Sequence, residues 1–247
     1  MEFRLLGPVT AVDGGRDVPL GPPQQRLILA VLALEVNHLV PVEQLVTLVW
    51  PDPPRTAAHA VQVCVSRLRA VLPDEIRLDG GRPGYRLRAD PLCIDAHRFR
   101  DLLERARAGV NDGTRVRLLD EALALWTGPA LADVGTPEVR ERLCRGLAEA
   151  RLTALEDRID ARLRQGYHAQ LLDELTGLVA REPVRERLVG QLMLALYRSG
   201  RAGEALRVYQ QARRRLADEL GLDPGAELRR LELEILRGTP AESNNAR

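Results

Sequence analysis

The chain has 247 residues, of which 45% are hydrophobic, 29% are charged and only 3% are aromatic. This balance is typical of a soluble globular protein with helical cores of Leu, Val and Ala, and no apolar run approaches the ~18 residues of a membrane helix. All 36 basic residues are arginine, which excludes the lysine-dependent sites of Walker A ATPases, pyridoxal enzymes and protein kinases.

The net charge is only +1, but it is unevenly distributed. Residues 1–52 hold three arginines against six acidic residues, whereas residues 53–88 hold seven arginines against three. We therefore expect an anionic partner to bind the second segment. The N-terminus lacks the features of a signal peptide, and three cysteines without a C-x-x-C pair favour a reducing cytoplasm.

The first residues of the chain have patterns typical of β-strands, and the residues after them have patterns typical of helices. Short β-like runs over residues 3–12 precede the turn signal Asp13-Gly14-Gly15, and residues 16–20 are the expected return strand. Apolar periodicity predicts three helices, over residues 24–35, 42–50 and 56–72, with Thr56 placed to cap the third. The intervening segment Pro51-Asp52-Pro53-Pro54 predicts a loop, because proline disfavours helix there.

The third predicted helix has a narrow apolar face and an opposite polar face. At ~100° per residue, the polar face and its flanks carry Arg55, Thr56, His59, Gln62, Val63, Ser66, Arg67 and Arg69. Residues 76–88 then predict a hairpin with arginines on its outward positions. Such an order of elements is a winged helix, whose third helix enters the DNA major groove while the hairpin touches the backbone or the minor groove.

Side-chain chemistry suggests a role for each candidate contact. Arg67 is the candidate base reader, because a guanidinium pairs bidentately with guanine O6 and N7. Gln62 can read adenine or touch a phosphate, and Val63 can touch a thymine methyl group. The phosphate candidates are Arg55, Ser66, Arg69, Arg82 and Arg86. The alternative is an ordinary solvated helix face.

Residues 91–238 read as helix after helix, with stretches near 95–109, 114–126, 137–165, 168–182, 184–199, 202–220 and 224–237. Gly166 and Gly200 lie 34 residues apart, each between two amphipathic helices, which is the tetratricopeptide (TPR) period. The predicted fold class is therefore mainly α. It consists of a winged helix-turn-helix with short strands over residues 1–90, an all-α TPR-like domain over residues 91–238 and a disordered tail over residues 239–247.

The patterns of the remaining histidine, cysteine, tryptophan, serine and arginine residues favour structural roles over metal binding or catalysis. The four histidines lack ligand spacing, which argues against a metal site. The cysteines at positions 64, 93 and 144 are expected to be buried small hydrophobes, and Trp50 and Trp126 to be core anchors. Ser66 lacks a nucleophile motif, and the Arg213-Arg214-Arg215 run favours a solvated face. We expect no enzyme activity and no cofactor.

Two groups of motifs resemble known domains. Residues 60–69, followed by 82–87, resemble the recognition helix and wing of OmpR-type winged helices. Residues 182–188, 191–201 and 219–228 resemble the bacterial transcriptional activation domain. Together they resemble the short form of the SARPs, the streptomycete antibiotic regulatory proteins, over residues 2–238. His59 stands where the family commonly has asparagine, and Cys64 where it has a bulkier residue.

The resemblance implies a sequence-specific transcriptional activator of a secondary-metabolite gene cluster. Members bind direct repeats in double-stranded DNA near the −35 element as a head-to-tail pair and recruit RNA polymerase holoenzyme. In OmpR-like proteins the loop between the second and third helices faces polymerase, which makes Pro51, Asp52, Pro53 and Pro54 the candidate contacts, a mere connector being the alternative. The implied location is the cytoplasm, on the nucleoid and not at a membrane.

The sequence leaves two other functions open. The first is a TPR-type interaction or ligand-sensing protein whose winged helix docks protein rather than DNA. The second is a phosphorylation-controlled response regulator. The absence of lysine and of a doubly wound N-terminal domain argues against the second function.

Overall fold

The computed structural model describes residues 1–238, so the tail predicted over residues 239–247 lies outside the described residues. The strands are β1 (Glu2–Arg4), β2 (Thr10–Asp13), β3 (Arg16–Asp17), β4 (Val40–Pro41), β5 (Arg77–Gly81) and β6 (Gly84–Arg88). The helices are α1 (Pro23–Leu34), α2 (Val42–Val49), α3 (Ala57–Val71), α4 (Asp95–Arg107), α5 (Asp112–Ala124), α6 (Pro137–Arg164), α7 (Leu172–Arg181), α8 (Glu186–Arg198), α9 (Ala202–Leu220) and α10 (Ala226–Arg237). The mainly helical fold class is confirmed.

The chain forms two compact units. The first comprises Met1–Gly109 with Leu118–Ala154, and the second comprises Val110–Arg117 with the chain from Leu155 onward. This division rests on contacts within the folded chain. The boundary predicted at residue 90 separates two sequence domains, and it stays a prediction. No helix within residues 1–238 is both long and apolar enough to cross a membrane.

Strands β1, β2 and β3 form an antiparallel sheet in the first unit. Gly14 and Gly15 have φ of 53° and 81°, as a tight turn with two left-handed residues requires. The return strand predicted over residues 16–20 is wrong in length, since β3 covers only Arg16–Asp17. One further hydrogen bond, from Val18 N to Ala11 O at 2.9 Å, follows the strand, and Pro19 then has no amide hydrogen to continue the ladder.

The winged helix is formed by α1, α2 and α3 with a second antiparallel sheet of order β4-β6-β5. The predicted apolar face of α3 is Val61, Val65, Leu68 and Leu72. The first three are buried in the core of the first unit, whereas Leu72 follows the last residue of the helix and is half-buried against that core. Thr56 is the N-cap residue of α3, as predicted, but its side chain makes no capping hydrogen bond. With φ −93° and ψ 6°, Thr56 lacks the extended backbone that a capping side chain normally needs.

The segment after β1 is held by residues beyond the winged helix. Leu5 and Leu6 are fully buried, and their carbonyls accept hydrogen bonds from Leu131 N and Thr127 N, each at 2.9 Å. The Asp95 carboxylate accepts from both of their amides. The first compact unit therefore extends past residue 90.

The second unit packs α7, α8, α9 and α10 with the end of α6. Its core is aliphatic, with Leu175, Val189 and Met193 fully buried. Gly166 and Gly200 have φ of 90° and 79° and follow α6 and α8. The glycines that gave the TPR period are thus left-handed residues just past helix ends, where glycine carries no steric penalty.

Sulfur and aromatic side chains depart partly from expectation. Cys144 is buried, but Cys64 and Cys93 are only half-buried, because both lie at the edge of the core. Burial raises the pKa of Cys144 to about 11, so this thiol stays protonated. Trp50 and Trp126 are half-buried against the core, and Trp126 meets Phe99 edge-on with ring centroids 5.5 Å apart.

Candidate nucleic-acid interface

Helix α3 turns the predicted DNA face to solvent. Because its other side packs into the core, the polar residues project outward in one row. Those exposed are Arg55, Thr56, His59, Gln62, Ser66, Arg67 and Arg69, with Val63 half-buried among them. The helix therefore presents its hydrogen-bonding side chains together on a single convex surface, the shape that fits a major groove.

Arg67 lies on this surface near the C-terminal end of α3. Within the described residues its guanidinium has no ion-pair partner and no hydrogen-bond acceptor. Its charge lies near the Cys64 thiol and opposes the rise in pKa that burial imposes on that thiol. A guanidinium with all its donors available is suited to bidentate pairing with a guanine edge.

The wing is the β5–β6 hairpin. Arg82 lies exposed at its tip, whereas Arg86 is half-buried on β6. Arg88 forms an ion pair with Asp79 across the strands, so the carboxylate neutralises part of the wing charge. Arg77 is exposed on β5 and was not among the predicted contacts, although the alternation of the hairpin had already placed it outward.

Arg69 departs from the row of free side chains. Its Nε donates to the carbonyl of Leu78 at 2.7 Å and its Nη2 donates to that of Gly80 at 3.2 Å. The guanidinium carbon also lies 5.9 Å from the centroid of the Tyr85 ring. The side chain expected to reach a phosphate is therefore directed at the wing of its own chain.

The loop between α2 and α3 supplies the other predicted contacts. Pro51, Asp52, Pro53 and Pro54 are all exposed. In the second unit, the run Arg213-Arg214-Arg215 on α9 is exposed too, as predicted for a solvated face. The structure thus brings the predicted DNA residues together on α3 and the wing, and leaves the proline-rich loop as an accessible surface.

Two family models match the chain over adjacent segments. Residues 15–87 match the model described as "Transcriptional regulatory protein, C terminal", and residues 94–236 match "Bacterial transcriptional activator domain". The first match spans α1–α3 and the wing, and the second runs from the start of α4 to α10. The families therefore agree with the sequence resemblance over most of the chain.

Individual relatives give the same result. The chain is 43% identical to the regulatory protein AfsR of Streptomyces coelicolor over 98% of its own length and 25% of the relative, so it spans about a quarter of that protein. It is 41% identical to the transcriptional regulator RedD of the same organism, over 97% of this chain and 71% of RedD.

A solved structure of Mycobacterium tuberculosis EmbR, in complex with a low affinity phosphopeptide, superposes with a TM-score of 0.89 at 34% identity. The superposition covers 98% of this chain and 66% of EmbR. Together with the two matched family models, it shows that the chain belongs to the SARP-type family of transcriptional regulators.

Proposed function

We propose that the chain is a sequence-specific DNA-binding activator that controls a secondary-metabolite gene cluster. The observation that carries this proposal is the exposed α3 surface that includes Arg67, whose guanidinium has no partner within the described residues. Residues 1–90 contact DNA, and residues 91–238 form the activation domain. The protein acts at the nucleoid on duplexes that contain direct repeats.

The contacts divide into those that read sequence and those that supply affinity. Arg67 pairs with guanine, with Gln62 and Val63 beside it for adenine or thymine. Arg55, Ser66, Arg82 and Arg86 contact phosphates, and Thr56 and His59 complete the surface at the start of α3. Because His59 replaces the common asparagine, we expect a half-site preference that differs from that of relatives.

Activation requires a surface for polymerase as well as for DNA. The exposed loop Pro51-Asp52-Pro53-Pro54 is our candidate contact for RNA polymerase holoenzyme. Two copies bind head to tail on direct repeats, and each copy carries one such loop. Substitution of Asp52 should then lower transcription in vitro without changing DNA affinity.

Ligand sensing is the second candidate function, and one observation favours it. The second unit contains a cavity of about 700 Å³ between α8 and α10. Its lining includes the apolar residues Leu194, Leu228 and Leu231. The charged residues of the lining are Asp160, Glu186, Arg187, Glu227, Arg230 and Glu234. A cavity of this size and lining is suited to a small molecule that has both an apolar part and charged or polar groups.

The testing experiment selects binding sites from a random duplex pool with the full chain at ~0.1–0.15 M salt, where non-specific phosphate binding is weakened. The expected product is two direct half-sites about one helical turn apart. Arg67→Ala should weaken binding by ~1–3 kcal/mol and relax preference at one base pair. Arg214→Ala, at an exposed position on α9, is the matched control and should bind like the wild type. Failure to enrich any duplex would contradict the proposal.

A further inference from the structure

We propose that Arg69 is a positioning residue that holds the wing at a fixed place beside the recognition helix, and is not a phosphate ligand. The inference rests on the proposed DNA-binding function, because the position of the wing matters only if the wing touches DNA. The contacts of Arg69 that support the inference lie within the chain and do not involve DNA.

The first feature that supports this role is the topology of the wing. In the sheet of order β4-β6-β5, strand β5 is at the edge. Successive carbonyls of an edge strand point alternately toward its partner strand and away from the sheet, and those that point away lack ladder donors. Leu78 and Gly80 are two residues apart on this strand, and Arg69 donates to both of their carbonyls. The guanidinium thus supplies the donors that a further strand would otherwise supply.

The second feature that supports this role is the shape of β5 at Gly80. This residue has φ of 111°, which side-chain-bearing residues rarely adopt. A Cβ there would lie 2.2 Å from the carbonyl oxygen of Gly84, so the two strands approach too closely for any other residue. The acceptor that Arg69 uses therefore belongs to a backbone bend that glycine alone permits.

The third feature that supports this role is the contact between Arg69 and Tyr85. This tyrosine is buried on β6, the central strand of the sheet, and is paired with Gly80 on β5 and Val40 on β4. The Arg69 guanidinium lies over its ring at 5.9 Å, within the range of a cation–π contact. One side chain from the last turns of α3 therefore contacts both strands of the wing.

These contacts have a consequence for DNA binding. Arg67, two residues earlier on α3, is free to read a base, while Arg69 fixes the hairpin that carries Arg82 at its tip. Leu78 and Leu87 of the wing share a hydrophobic core with α3. Without Arg69, the wing would keep that packing but lose the hydrogen bonds that fix its position, and this part of its ordering would have to be repeated in each binding event. We therefore expect substitution of Arg69 to weaken DNA binding without removing a phosphate contact.

Charge-preserving substitution separates the two roles. A lysine keeps a point charge for a phosphate, but it lacks the planar fork that bonds two carbonyls while lying over a ring. Arg69→Lys should therefore bind the selected duplex about tenfold more weakly than the wild type, with an unchanged dependence on salt. Arg82→Ala removes a proposed phosphate contact and should lower the salt slope by about 0.9. Arg214→Lys, at an exposed position on α9, is the matched control for the charge-preserving substitution and should bind like the wild type.

A second readout does not involve DNA. In the free full-length protein, Arg69→Lys and Arg69→Ala should each speed hydrogen exchange of the amides in residues 77–88 about tenfold, with α1 unchanged. Unchanged exchange in the wing would overturn the inference. So would a lysine variant that binds like the wild type while Arg69→Ala lowers the salt slope. If no duplex is bound by the wild type, the proposed function fails, and the exchange data still decide whether Arg69 holds the wing.

Discussion

The Asp95 carboxylate accepts the backbone amide hydrogen of Leu5, with the amide nitrogen 2.8 Å from each carboxylate oxygen. Leu6 N also donates to Asp95, at 3.0 Å. Asp95 begins α4, whose helix dipole favours a negative charge there, while Leu5 follows β1. The start of α4 and the end of β1 are therefore joined by one side chain. Burial raises the pKa of Asp95, and the hydrogen bonds from Leu6 and Leu5 oppose that rise.

Replacement of Asp95 by asparagine should destabilise the protein. An asparagine has one acceptor oxygen and would turn its NH₂ group toward a backbone donor. We expect the free energy of unfolding to fall by ~1–3 kcal/mol, the cost of leaving a buried donor unpaired. Denaturant titration of the two proteins measures the difference.

Asp101→Asn is the control for this experiment, since Asp101 lies on the same helix and forms an exposed ion pair with Arg105. We expect its effect to stay under about 1 kcal/mol, as is typical of an exposed ion pair. Equal losses in the two variants would contradict the joint described for Asp95.

Residues 1–90 should not fold cooperatively when expressed alone. Such a fragment lacks Asp95 and the Thr127 and Leu131 amides, so several buried backbone groups near Leu5 and Leu6 would have no partner. We expect poor amide dispersion in its proton–nitrogen NMR spectrum, in contrast to the full chain. A well-dispersed spectrum of the fragment would show that the winged helix folds without the helical segment.

Loss of the Glu156 charge should weaken the second unit. This carboxylate is 2% exposed and accepts from Arg185 Nε at 2.6 Å and from Arg187 Nη1 at 3.4 Å. Glu156→Gln would replace the carboxylate that pairs with the partly buried Arg185 by a neutral amide. Because Arg187 keeps Asp157 and Asp160 as partners, we expect a loss of about 2–3 kcal/mol in the free energy of unfolding.

Thermal and denaturant unfolding test this prediction against Glu141→Gln, which removes an exposed ion pair with Arg145 on the same helix. That control should change the free energy of unfolding by less than about 1 kcal/mol. A Glu156→Gln protein as stable as the control would show that the buried network contributes little.

Acid should selectively weaken the contact between Asp112 and Arg164. The Asp112 oxygens accept from Arg164 at 2.8 and 2.6 Å, and this hydrogen bond lowers the pKa of Asp112. Because the folded-state pKa is the lower one, the stabilisation is present above the unfolded value of ~3.9 and is lost as the pH falls through the folded value.

Free energies of unfolding measured across this pH range for the wild type and Asp112→Asn give the test. The difference between the two proteins should be largest near neutral pH and should shrink below about pH 4. A difference that stays constant with pH would mean that the carboxylate charge is not the source of the stabilisation.

Much of the interface could be predicted from local patterns. The spacing of Val61, Val65 and Leu68 fixed which side of α3 is buried, and therefore which side is exposed, because a helix repeats every ~3.6 residues. The helices of residues 91–238 were also found near their predicted positions. Thr56 was an exception, since a capping side chain depends on backbone angles that residue type alone does not specify.

What the sequence by itself determined is thus the set of elements, the exposed face of α3 and the family resemblance, since all three depend on residues close together or on recognisable motifs. Only the tertiary structure decided the partners of Arg69 and the joint between Asp95 and Leu5, which lie 90 positions apart. The spacing of apolar residues shows which face of an element is buried, but it does not show which other element packs against that face. A hydrogen bond between distant segments depends on how whole elements pack. Two arginines of α3 therefore differ: Arg69 is hydrogen-bonded to the wing, whereas Arg67 has no hydrogen-bond acceptor within the described residues.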